Sequence, residues 1–261
     1  MKKINVSLIL IFLSLALTSC VRAPVRPSVM PLATRPIPVQ QTYSAIILEP
    51  TRHDTYHTVA PSETMWRISK MYDVTVEDIL RANNLKDPTN VAMGQRLFIP
   101  QAAPLKPVVA LYPSNKWKYI IIHHSATDEG SALAFNKFHQ SRGWENLGYH
   151  FVIDNGTEGK EDGQIEVAPR WIKQQNGAHC KAGGMNSTGI GICLVGNFSK
   201  DNITRKQMES LTYLVNTLRE YYKIPVNNIM GHSEVSGAST ECPGTKFPWP
   251  EFFSKIKSGT T

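Results

Sequence analysis

The chain has 261 residues, 41% of them hydrophobic, enough for one medium domain and a smaller one once an N-terminal segment is set aside. Its formal charge is +7, from 28 Lys and Arg against 21 Asp and Glu. The excess is spread along the chain, and no basic run carries interleaved aromatics, so nucleic acid is not an expected partner.

Lys2 and Lys3 precede an apolar run over residues 4–17, followed by Leu17-Thr18-Ser19-Cys20. A positive start, a short apolar stretch and small residues describe a signal peptide over 1–19, too short and poorly flanked for a spanning helix. Cys20 directly after that tripeptide resembles the bacterial lipobox, which implies lipidation of Cys20 and a membrane tether through its acyl chains. Val21 stands where enteric-type bacteria use Asp to retain such proteins at the inner membrane. The resemblance therefore implies the cell envelope, on the periplasmic face of the outer membrane in a Gram-negative cell. Residues 20–55 hold Pro24, Pro27, Pro31, Pro36, Pro38 and Pro50 with few aromatics, the composition of an extended tether.

Residues 56–100 read as a small βααβ unit. Tyr56-His57-Thr58-Val59 alternates as a strand, and Met65, Ile68 and Met71 recur at helical spacing. Thr75 with Asp78 opens a second helix in capping-box fashion, and Gly94-Gln95-Arg96-Leu97-Phe98-Ile99-Pro100 closes with a turn and strand. With Asp78-Ile79-Leu80 running into Asn83-Asn84, the whole segment resembles a LysM module. That resemblance implies binding to glycans containing N-acetylglucosamine, such as peptidoglycan. Residues 101–115 read as a second linker.

From residue 116 to 261 the chain reads as a compact α/β domain. Tyr119-Ile120-Ile121-Ile122 is a buried strand ending in His123-His124, and a helix follows over 131–141 with Leu133, Phe135 and Phe138 as its apolar members. Gly148-Tyr149-His150-Phe151-Val152-Ile153 reads as a strand, Gln164-Ile165-Glu166-Val167 as its return, and the nearly all-apolar run 189–195 as a central strand. Thr204 and Gln207 form a capping box on a long helix whose Met208, Leu211, Leu214, Val215, Leu218 and Tyr222 share one face. Ile229-Met230 is a short run leading into Gly231-His232. The alternation predicts a central mixed β-sheet flanked by helices.

A catalytic zinc needs three protein ligands and an open fourth position, and imidazole and thiolate both suit it. The residues alone offer one of His123 or His124, because adjacent strand residues point to opposite faces, together with His232 and Cys242. The segments Ile122-His123-His124-Ser125-Ala126-Thr127, Gly148-Tyr149-His150-Phe151, Gly177-Ala178-His179, Asn186-Ser187-Thr188-Gly189-Ile190-Gly191-Ile192, Gly231-His232 and Cys242-Pro243 occur in this order. Together they resemble the zinc amidases of the phage-lysozyme and peptidoglycan-recognition-protein family, over about residues 117–250. The resemblance implies an N-acetylmuramoyl-L-alanine amidase that hydrolyses the lactyl amide between muramic acid and the stem peptide of peptidoglycan.

Carried over by position, it makes His123, His232 and Cys242 the zinc ligands, leaving His124 to packing or a local hydrogen bond. Family members that only recognise peptidoglycan typically lack the Cys. Tyr149 matches a tyrosine that assists the attacking water or the developing oxyanion, and Thr240 stands where some relatives carry a catalytic Lys. A neutral hydroxyl there hydrogen-bonds where an ammonium supplies charge. His179 and Asn186, in a Gly-rich loop, are candidate substrate contacts lining the cleft. Cys180 and Cys193 either pair or, for Cys193, sit in the core. Two other readings compete: a hydrolase using Cys242 or Cys180 as nucleophile, and a catalytically silent peptidoglycan receptor or anchor.

Overall fold

A computed structural model describes residues 51–257. The signal-peptide and Cys20 assignments lie outside these residues, as does all but the end of the Pro-rich tether. The first module is built from β1 (His53–Thr58), α1 (Met65–Tyr72), α2 (Val76–Ala82) and β2 (Arg96–Ala102), with β1 and β2 antiparallel. Thr64 starts α1 by accepting from the Arg67 N–H at 3.2 Å, and Thr75 caps α2 by accepting from the Asp78 N–H at 3.0 Å. Met65, Ile68, Met71, Ile79, Leu97 and Ile99 are buried together. Asn83 ties the end of α2 to β2: its amide donates to the Ile79 and Phe98 carbonyls and its oxygen accepts from the Phe98 N–H at 2.7 Å.

The second module comprises β3 (Tyr119–His124), α3 (Ala132–Ser141), β4 (Phe151–Asn155), β5 (Asp162–Val167), the single turns α4 (Pro169–Ile172) and α5 (Met185–Thr188), β6 (Gly189–Leu194), α6 (Arg205–Tyr222), β7 (Ile229–Gly231) and α7 (Trp249–Lys257). Its five-stranded sheet has the order β5-β4-β6-β3-β7, parallel except for the antiparallel β4–β5 pair. The expected mixed α/β sheet is present, with the 189–194 strand at its centre. The Thr204–Gln207 capping box is formed, and Met208, Leu211, Leu214, Val215 and Leu218 of α6 are buried. They pack with Ile120 and Ile122 of β3, Ile190 and Ile192 of β6 and Phe252 of α7 in one cluster. Truncating a buried leucine such as Leu214 to Ala would cost about 2–5 kcal/mol.

Two expected elements differ. The strand predicted from Gly148 begins at Phe151, because the Gly148 N–H donates to His139 Nδ1 and its carbonyl accepts from the Ala178 N–H. Residues 148–149 are thereby held by a helix and a loop and not by the central strand. In α3 only part of the apolar stripe faces the core: Ala132 is buried and Phe135 packs against its cluster, Leu133 is half-buried, and Phe138 is 56% exposed.

Of residues 101–115, expected as a linker, 101–102 complete β2 and the rest is fastened to both modules. The Ala103 and Lys106 N–H groups donate to the Tyr72 and Met71 carbonyls. Further on, Trp171 Nε1 donates to the Ala110 carbonyl at 2.8 Å, and the Tyr222 hydroxyl donates to the Tyr112 carbonyl at 2.9 Å. The two modules also touch directly. Arg67 of α1 pairs with Glu63 and donates to the Val108 carbonyl at 3.0 Å and to the Ile165 carbonyl of β5 at 3.1 Å. Lys160 donates to the Thr58 carbonyl at 2.9 Å while its ammonium lies 2.7 Å from Glu166.

Candidate metal centre and its cleft

Alternation along β3 separates the two histidines. Ile120 and Ile122 face α6, so His124 shares their side and Ile121 and His123 share the other. His124 accepts from the Phe198 N–H through Nδ1 at 3.1 Å, whereas His123 is 1% exposed. His232 follows β7, which pairs parallel with β3, and the Ser233 N–H donates to the Cys242 carbonyl at 2.8 Å, binding the His232 turn to the cysteine loop. A side chain at Gly231 would meet Pro243 at 2.7 Å and Trp249 at 2.9 Å, so glycine is what lets the loop approach. The result is one cluster: ligand atoms of His123, His232 and Cys242 all lie within 4.8 Å of one another. Cys242 Sγ is 3.6 Å from His123 Nδ1 and accepts from the His124 N–H at 3.3 Å.

The donor set suits a soft-to-borderline dication. Burial lowers the pKa of His123 well below the usual imidazole range, with His179 and His232 adding to it, and burial also lowers His232. Both rings are therefore neutral at pH 7 and each has a lone pair to give. Burial pushes the Cys242 thiol up to about 12, only partly offset by the His124 N–H. Among the described residues no cation offsets the burial of this thiol, and two nitrogens with one sulfur at this spacing fit zinc.

Tyr149 borders the cluster, its ring 5.2 Å from that of His123. Burial raises its hydroxyl well above the ordinary phenol value, as do Cys193 and Cys242, so it stays a protonated donor. Thr240 is exposed, and its hydroxyl accepts from the Cys242 N–H at 3.1 Å. His179 and Asn186 do not line the cleft as expected. His179 is buried behind His123, with Nδ1 3.0 Å from His123 Nε2 and Nε2 3.2 Å from the Gly189 carbonyl, so both ring nitrogens are spent inside the protein. The Asn186 side-chain oxygen accepts from the Cys180 N–H at 2.8 Å and its carbonyl from the Gly177 N–H, so it shapes the loop. Cys180 and Cys193 are free thiols, Cys193 in the core strand β6.

Beside Tyr149 opens a cavity of about 350 Å³ lined by Ser125, Thr127, Ala134, Phe135, Phe138, His139 and Tyr149. Of these, only Tyr149 is an expected site residue. The signal was there in Phe135 and Phe138 of α3, whose apolar stripe reads equally as core.

A family model described as N-acetylmuramoyl-L-alanine amidase matches residues 113–245, about half of the chain. The chain belongs to this amidase family. Residues 57–100 match the LysM domain model. Among curated relatives, the endolysin of Escherichia phage T7 is 34% identical over 132 residues, covering 48% of this chain and 78% of the phage protein. Peptidoglycan-recognition protein SC2 of Drosophila melanogaster is 32% identical over 148 residues, covering 53% and 73% respectively. Among solved structures, the N-acetylmuramoyl-L-alanine amidase LysC from Clostridium intestinale is 30% identical, with a TM-score of 0.45 over 59% of this chain and 95% of that one. The amidase match thus encloses His123, Tyr149, His232, Thr240 and Cys242.

Proposed function

We propose that this protein is a zinc-dependent N-acetylmuramoyl-L-alanine amidase, hydrolysing the amide between the lactyl group of muramic acid and the stem peptide of peptidoglycan. The observation that carries the reading is the convergence of His123, His232 and Cys242 within 4.8 Å at the end of β3 and β7, inside the region matched by the amidase model. When bound there, zinc supplies a Lewis acid and a water acidified towards neutrality. Neutral His123 and His232 and the Cys242 sulfur hold it, and the His124 N–H steadies the thiolate through its hydrogen bond to Sγ. Tyr149, kept protonated, donates to the oxygen that gains negative charge as the amide carbonyl is attacked. Thr240 orders the Cys242 loop through its hydrogen bond to the Cys242 N–H. The LysM module holds the polymer, and acylated Cys20 tethers the chain to the envelope. A Cys242 nucleophile is the weaker reading: its thiol is raised by burial and no helix starts at Pro243 to depress it.

The decisive assay is release of free stem peptide from purified peptidoglycan by the protein as isolated, after chelation, and after zinc is restored. Release that stops with chelator and returns with zinc is expected. Activity surviving complete removal of metal overturns the mechanism, and a zinc-loaded protein that releases nothing leaves a peptidoglycan receptor.

A further inference from the structure

We propose that His179 is the positioning residue for His123, fixing which ring nitrogen of His123 is free to bind metal and where it points. The inference rests on the zinc reading above. His179 Nε2 lies 3.2 Å from the Gly189 carbonyl, a group that can only accept, so Nε2 carries the hydrogen. In the neutral ring Nδ1 then holds a lone pair, and it faces His123 Nε2 at 3.0 Å. His123 must donate from Nε2, which leaves His123 Nδ1 as the lone pair, 3.6 Å from Cys242 Sγ. One backbone carbonyl thus fixes two tautomers in series. A ligating imidazole whose other N–H is held in this way is better aimed and more basic than a free one.

The fold reserves the space for this ring. Gly191 of β6 is the register partner of Ile121 and so lies on the His123 face of the sheet. A side chain at Gly191 would sit 2.4 Å from the His179 ring, and one at Gly177 2.3 Å from it. Two glycines from separate segments vacate the volume that the imidazole fills. His150 closes the far side, its ring centroid 5.5 Å from that of His179. It is itself fixed, accepting from the Gly191 N–H at Nδ1 and donating to the Gln175 carbonyl from Nε2.

The test uses the full chain labelled with ¹⁵N-histidine, and zinc affinity measured by competition with a chromophoric chelator. In the metal-free wild type, long-range ¹H–¹⁵N correlation should show His123 as the Nε2–H tautomer. His179→Leu should lose that single tautomer and bind zinc about 10–100-fold more weakly. His179→Asn, whose side-chain oxygen can stand where Nδ1 accepts, should recover most of the affinity. Gly191→Ala keeps the imidazole but displaces it, and should weaken zinc as His179→Leu does. An Nδ1–H tautomer at His123, or His179→Leu binding zinc like the wild type, overturns the proposal. If His179→Asn is as weak as His179→Leu while both remain folded, the role is packing and the proposal falls. A wild type that binds no zinc instead overturns the proposed function, and the tautomer measurement then decides the role of His179 by itself.

Discussion

Replacing Arg67 by Met probes the buried ion pair that lies where the LysM module meets the amidase module. The Arg67 side chain is 10% exposed and that of its partner Glu63 only 2%, and Arg67 also satisfies the Val108 and Ile165 carbonyls. Removing one partner of a buried ion pair costs about 3–5 kcal/mol, chiefly because the other charge is left buried. Glu63 keeps His57 Nε2 at 2.7 Å and the Ala60 N–H at 2.9 Å, so Arg67→Met should fall at the lower end, about 3 kcal/mol. The measurement is urea unfolding followed by tryptophan fluorescence, since Trp117 and Trp171 are buried in the amidase module. Adding Glu63→Gln removes the stranded charge, so the double variant should be more stable than the sum of the singles requires, by about 1–3 kcal/mol. A loss below 1 kcal/mol for Arg67→Met, or strict additivity in the double variant, would refute the claim that this pair is a buried, coupled contact.

Three further expectations follow from the same geometry. Burial would raise the Glu63 carboxyl, but the hydrogen bond and charge of His57, with Arg67 and the Ala60 N–H, outweigh it and hold the pKa at about 2 against 4.5. Its contribution is therefore complete above pH 4.5 and lost as pH falls through 2; it amounts to about 3 kcal/mol. Glu63→Gln should flatten the dependence of unfolding free energy on pH across that window, and an unchanged slope would count against it. At the metal site, His123→Ala should abolish zinc binding by equilibrium dialysis. His124→Ala should keep it and lose only about 1 kcal/mol of stability with the Phe198 N–H bond; equal loss of zinc in both would remove the distinction between the two faces of β3. Tyr149→Phe should lower kcat about 10²-fold with zinc content unchanged, and full activity would take its hydroxyl out of the reaction.

Much of this arrangement is legible along the chain because it rests on local periodicity. The four apolar residues before His123 specify a buried strand, and Thr204 with Gln207 marks the start of α6 to the residue. The all-apolar run before Val195 places β6 at the centre of the sheet. Strand alternation also says that only one of His123 and His124 can face a given site, although which one depends on the side that α6 covers. What sequence leaves out is set by distant partners. His179 looks like a loop residue open to substrate until β6 supplies the Gly189 carbonyl and the gap at Gly191. Phe138 carries the helical spacing of a core residue but stands 56% exposed beside a cavity. Nothing local in the sequence marks Arg67 and Lys160 as buried: each pairs with a Glu of its own module and donates to a carbonyl of the other, Ile165 and Thr58.

In the proposed function one zinc is held jointly by His123, His232 and Cys242. This is tested most directly by elemental analysis of the full-length protein, purified without added metal or chelator, beside a Cys242→Ala variant purified in the same way. Close to one zinc per wild-type chain and essentially none in the variant are expected. A wild-type chain without zinc that nevertheless releases stem peptide at full rate would contradict it.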